Sequence, residues 1–175
     1  MGGINDVLIA PGATMSDRLV SYGSAVAGAA LALVLAIRQE WPWWTVAVVT
    51  VVAFDLFGGA VVNASSAAKR KYQAPGRTAR NHLLFVALHV QPFVLALLVP
   101  EFAWTTALAI YAIALGGAVL VLQGHRPTAF AITVLGLTVA PAPEAVFWFT
   151  PVLLIKLLLS YLDPIRPADE QPAQG

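Results

Sequence analysis

Three ionisable residues, Asp55, His89 and Lys156, fall inside long apolar runs of this 175-residue chain. A charged group placed in hydrocarbon costs about 2.5–3.5 kcal/mol on insertion scales, so each needs a reason to be there. An acid, an imidazole and an amine together can hold a proton, bind an ion or hydrogen-bond a small polar solute. Asp55 stands nine residues before the end of its run, His89 seven after the start of the next, and Lys156 six before the end of the last. At about 1.5 Å per residue these positions lie about 13, 10 and 9 Å from the same face of the membrane. Three helices of alternating direction would thus place them in one polar layer.

A second tier lies nearer that face. Asn63 ends one run and His82 begins the next, with Tyr72 and Asn81 close in sequence. His82 and His89 are seven apart, about 700° of helical rotation, so a continuous helix would point both the same way about 10.5 Å apart. Pro92 lacks an amide hydrogen and is expected to leave the Leu88 carbonyl free beside His89. Gly58-Gly59 and Gly116-Gly117 would allow helices to approach closely. Histidines at this spacing cannot share one metal ion from a straight helix. Clustered histidine boxes, Asp-rich runs and a Gly-x-Ser-x-Gly elbow are absent from the sequence. Neither a metal nor a cofactor is therefore expected, and a catalytic set cannot be named.

These residues must be positioned by helices in lipid. Apolar residues make up 59% of the chain and charged residues 11%, with a mean hydropathy of +0.78. Soluble domains are about 45–50% apolar and about 25% charged. The spacing predicts an all-α integral membrane bundle of six helices at 19–37, 43–64, 82–99, 103–122, 127–140 and 145–162, forming one domain over 1–163. The fifth reaches only about 21 Å, short enough to be re-entrant, tilted or matched by local thinning. Residues 164–175, with Pro164, Pro167 and Pro172, read as a polar tail. Ser16 or Asp17 is expected to cap the first helix, and Ile4 to Ile9 to lie along the membrane surface. Met1 to Met15 lacks the basic segment of a cleaved signal, so the first span is expected to be retained.

In the six-span arrangement Arg18, Lys69, Arg70, Lys71, Arg77, Arg80, Arg126 and Arg166 fall on one side and only Arg38 on the other. The positive-inside rule then puts both termini in the cytoplasm of a multi-pass cell-membrane protein. Trp41, Trp43 and Trp44 would lie at the outer interface. Lys69, Arg70 and Lys71, close to the membrane, would attract anionic lipid headgroups at about 1 kcal/mol each. A formal charge of +1 argues for no nucleic-acid partner, and the absence of cysteine excludes thiol chemistry and disulfides. The glycine faces raise the expectation of a homo-oligomer.

Three classes of function fit these features. In the first, Asp55, His89 and Lys156, with Asn63 and His82 beneath them, form a site for permeation or transport of an ion or small solute. In the second, a membrane-embedded enzyme acts on a lipid or isoprenoid, with the basic loop holding its headgroup. In the third, the polar groups only specify packing in a structural or accessory subunit. A water-lined path, a lateral cleft open to lipid and a dry packed layer are their respective structural marks.

Overall fold

The computed structural model describes residues 9–124 and 126–163, so most of the surface segment expected at Ile4 to Ile9, and the tail from 164 onward, lie outside the described residues. The described residues form helices and no strands: α1 Met15–Ile37, α2 Trp43–Ala64, α3 Ser66–Tyr72, α4 Ala79–Ala87, α5 Gln91–Leu98, α6 Trp104–Leu122, α7 Arg126–Val139, a 3₁₀ turn Glu144–Val146, α8 Phe149–Leu154 and a π-helical segment Ile155–Tyr161. Among them, five stretches are long and apolar enough to cross a membrane: Met15–Ile37, Trp43–Ala64, Ala79–Leu98, Trp104–Leu122 and Glu144–Tyr161. The apolar part of α7, Pro127–Val139, is shorter.

α1 starts four residues before its expected position, because the cap is Thr14. Its hydroxyl accepts from the Asp17 amide at 3.0 Å, and the Asp17 carboxylate accepts from the Thr14 amide at 2.9 Å. This reciprocal pair satisfies two donors that a helix end leaves open, which neither Ser16 nor Asp17 alone would do. Small side chains on one face of α1, Ser21, Ala25, Gly28, Ala32 and Ala36, are buried. Phe57 of α2 packs where a Cβ on Gly28 would stand, and Ala25 sits 2.8 Å from the Cβ position of Gly58. Between lipid-exposed helices such close backbone approach replaces the hydrophobic drive available in water. The Ser24 hydroxyl adds a cross-helix bond to the Phe57 carbonyl at 3.2 Å.

The last stretch forms the centre of the bundle. Two-thirds of its apolar window, 67%, is buried, against 22–39% for the other four, so the others surround it. The π segment packs on α2, α6 and α7. Gly117 of α6 admits Ile132 and Leu158, each 3.0 Å from its Cβ position, whereas Gly116 faces open space. Outward-facing Leu19, Val26, Val51, Leu97, Leu108 and Val134 are exposed, the pattern of helices whose outer faces meet hydrocarbon.

Half of the basic loop is helical. The Ser65 hydroxyl donates to the Val62 carbonyl at 2.8 Å and accepts from the Ala68 amide at 3.2 Å, closing α2 and opening α3 in one residue. Ala67 and Ala68 then bury against Ile9, Ala10, Ala13 and Val62. Thr78 caps α4, and Asn81 in its first turn completes the pair, its side-chain oxygen accepting from the Thr78 amide at 2.9 Å.

Candidate functional site

α2 and the π segment bring Asp55 and Lys156 together. The Lys156 ammonium donates to Asp55 Oδ2 at 2.7 Å and to the Asp55 main-chain carbonyl at 3.3 Å. Lys156 is 4% exposed and Asp55 52%, so the pair has a buried cation and an acid that opens on the flank of the bundle. A shared polar layer would have Asp55 face the bundle interior within reach of His89 or Lys156; the structure gives it Lys156 but turns it partly outward, since Lys156 reaches it by crossing α2. That crossing depends on Gly59, whose Cβ position is 2.6 Å from Lys156 Cε and 2.8 Å from Nζ. The Gln91 side-chain amide donates to the same Oδ2 at 3.4 Å.

His89 stands in a break. Helical structure stops after Ala87 and resumes at Gln91, with Pro92 in the first turn of α5. The Leu88 carbonyl, deprived of a Pro92 donor, accepts from the Val90 amide at 2.9 Å. The His89 amide bonds to Val86 rather than Phe85, and the freed Phe85 carbonyl lies 2.8 Å from His89 Nδ1. A carbonyl only accepts, so Nδ1 carries the hydrogen. In a neutral ring Nε2 is then an acceptor. His89 thus replaces a lost main-chain bond two residues before Gln91, which donates to Asp55.

The break separates the two histidines, which the sequence assigns to one helix face. His82 is buried, its Nδ1 3.1 Å from the Tyr161 hydroxyl. Phe85 stacks on Tyr161 at 3.9 Å, and Tyr72 closes the group edge-on to Tyr161 at 5.5 Å. Burial raises the Tyr72 phenol above its ordinary value, opposed by the charge of Arg77, so it is neutral at physiological pH. Asn63 joins neither histidine. It is 4% exposed and donates to the Lys156 main-chain carbonyl at 3.5 Å, tying α2 to the π segment. The last helix supplies a partner to each of the three: the Lys156 carbonyl to Asn63, and Tyr161 to His82 and Tyr72.

The three basic residues of the loop also divide. Lys69 is 6% exposed and forms a 2.5 Å ion pair with Asp163, itself 8% exposed, so it is turned into the protein rather than toward headgroups. Arg70 and Lys71 are half-buried. The sequence signal for Lys69 is ambiguous because charge count does not reveal that α3 tucks under the bundle. Asp163 and Tyr161 are polar groups that sequence reasoning leaves aside, since each is ordinary by type and gains its meaning from a partner on a distant helix, whereas Gln91 is legible as a polar group beside Pro92 without its Asp55 partner.

Asp55 also borders a half-open cleft of about 300 Å³ between α1 and α2, with Ser21, Tyr22, Ala25, Val51, Phe54 and Gly59 among its walls. This volume lies at the lower end of the range for small-molecule sites, about 300–1,000 Å³. The Ser21 hydroxyl is buried without a hydrogen-bond partner. Among the described residues no group of three or more His, Asp or Glu is arranged to hold a metal ion. Chemically the arrangement offers a carboxylate, an ammonium, an imidazole nitrogen and a primary amide next to an apolar recess. Compared with protein-family models, curated proteins and solved structures, the chain matches none.

Proposed function

We propose that this chain is a multi-pass transport protein of the cell membrane that carries an ion or small solute through the site formed by Asp55, Lys156, Gln91 and His89. The observation that carries this reading is the Asp55–Lys156 pair set beside a broken helix. Charged groups inside spans mark ion and substrate pathways, and in transporters such groups gather where a helix is interrupted and its polar ends are free. The π geometry around Lys156 is a second departure from regular helix at the same place, of a kind frequent at functional sites.

Six crossings with both termini cytoplasmic are part of the proposal. The Lys69–Asp163 pair supports them, because it joins the connection after α2 to the end of the last helix and so requires both on one side. The Thr45 hydroxyl bonds to the Leu98 carbonyl at 3.4 Å, joining the opposite ends of α2 and α5. With α6 returning to the Lys69 side and the last helix ending there, a crossing by α7 completes the proposed arrangement. The basic count then makes that side the cytoplasm.

The test uses the full chain in proteoliposomes containing a pH-sensitive dye, with a potassium diffusion potential or an opposing sodium gradient imposed. Proton or cation flux above that of protein-free vesicles is expected, and Asp55→Asn should remove it, since the amide keeps the size of the acid without its charge. Flux equal to that of empty vesicles under both gradients would reject ion transport. The lateral position of the cleft favours one second reading, a lipid- or isoprenoid-modifying enzyme approached from the bilayer. Turnover of added lipid that depends on Asp55, without flux, would select it.

A further inference from the structure

The cleft beside Asp55 combines groups that match one kind of molecule. Both side-chain bonds to the acid fall on Oδ2, from Lys156 and from Gln91. Oδ1 therefore has no partner among the described residues, and the side chain is 52% exposed. Phe54 and Tyr22 add aromatic rings, and Ala25, Val51 and Val62 add aliphatic surface.

A carboxylate next to aromatic rings in an apolar recess attracts positive charge and covers a greasy body. Bare calcium or magnesium would need about six oxygen ligands, where the side chains lining this cleft bring one carboxylate and the Tyr22 phenol within the recess. An organic anion would meet the carboxylate at close range, and a sugar would leave most of its hydroxyls unpaired. The recess opens between two helices whose outer faces are apolar, so its occupant enters from the bilayer.

We infer that the cleft between α1 and α2 binds a lipophilic organic cation, an amphiphilic amine or onium ion, whose charge competes with the Lys156 ammonium for Asp55 while its apolar part lies along Val51, Phe54 and Ala25. The inference rests on the transport reading only in making that cation the cargo; as a binding site it can be tested separately.

Tetraphenylphosphonium is the probe, and tetraphenylborate, of the same shape and opposite charge, is its control. Equilibrium dialysis of the labelled cation against the full chain in lipid nanodiscs should give saturable binding at one site per chain that tetraphenylborate does not displace. Asp55→Asn should weaken binding roughly tenfold or more, and Lys156→Gln should strengthen it by removing the competing ammonium. Val51→Trp places bulk in the cleft from an exposed position one helical turn before Asp55, and should abolish binding while leaving the thermal unfolding midpoint close to that of the parent. Absence of saturable binding, equal displacement by tetraphenylborate, or undiminished binding to the Val51→Trp variant would each overturn the site. Dye-reported flux with no phosphonium binding would reject this cargo and keep transport; binding with no flux would keep the site and reject transport.

Discussion

Gly59 has no side chain where Lys156 needs to pass. A methyl group there would lie 2.6 Å from Lys156 Cε, inside any tolerable contact, so Gly59→Ala must move the ammonium off Asp55 or push α2 from the π segment. Overpacking of this kind costs about 1–3 kcal/mol. The expected result is a lower unfolding midpoint in detergent, largely recovered when Lys156→Met is added, because the clash involves the same side chain. A double variant as unstable as the sum of its parts would show that Gly59 acts on something else. The pair itself has a clear sign: removing Asp55 strands a buried cation, whereas removing both charges does not. Asp55→Leu should therefore destabilise more than Asp55→Leu with Lys156→Met, and the reverse order would mean that Lys156 finds another acceptor. At this scale the sequence announces the ionisable residues well, since charge in an apolar run is rare. It marks Gly58-Gly59 as a place of close helix approach, but not that the side chain passing Gly59 is that of Lys156, ninety-seven positions away in the chain.

Helix breaks and helix ends decide where the polar groups point. Pro92 is legible as an interruption, and the missing donor for Leu88 follows from its chemistry alone. The extent of the break does not follow: it spreads back to Leu88, and the His89 ring takes the carbonyl that its own main chain gives up. This is why a continuous helix wrongly aligns His82 with His89. Restoring the amide with Pro92→Ala should let α4 and α5 join, with the residue 92 amide reaching Leu88 and the His89 amide reaching Phe85. The ring would then lose its partner and the distance to Asp55 would change. Slower amide exchange at His89 and Val90, together with loss of flux, is the expected outcome in hydrogen-exchange and vesicle measurements. Unchanged exchange would place the cause of the break in packing rather than in proline. The capping of α1 by Thr14 teaches a similar lesson, since Ser16, Asp17 and Thr14 are all competent caps by type, and only the reciprocal geometry selects among them.

For the whole molecule, composition makes a helical bundle with membrane-spanning lengths plain, and the many outward-facing apolar side chains fit a lipid surrounding. The short α7 is what length alone leaves open, at about 21 Å against a hydrocarbon core of about 30 Å. Long-range contacts bear on it in a way hydropathy cannot. On the six-crossing proposal, which the Lys69–Asp163 and Thr45–Leu98 contacts support, the connection between α7 and the last helix is expected on the Thr45 side, with the bilayer thinned or α7 tilted to match. The Thr150 hydroxyl bond to the Ala140 carbonyl at 3.0 Å fixes the start of the last helix to the end of α7, so the two share a boundary. Single cysteines introduced at Gln73 and at Ala142 into this cysteine-free chain should therefore label from opposite faces with a membrane-impermeant maleimide, Gln73→Cys only from the cytoplasm and Ala142→Cys only from outside. Labelling of both from the cytoplasm would make α7 re-entrant, and would require the Lys69–Asp163 pair to be broken in the membrane. That contradiction can be checked in the same chain: Asp163→Asn, which leaves Lys69 buried without a counter-charge, should lower the unfolding midpoint, whereas a Lys69 already facing water would make the substitution neutral.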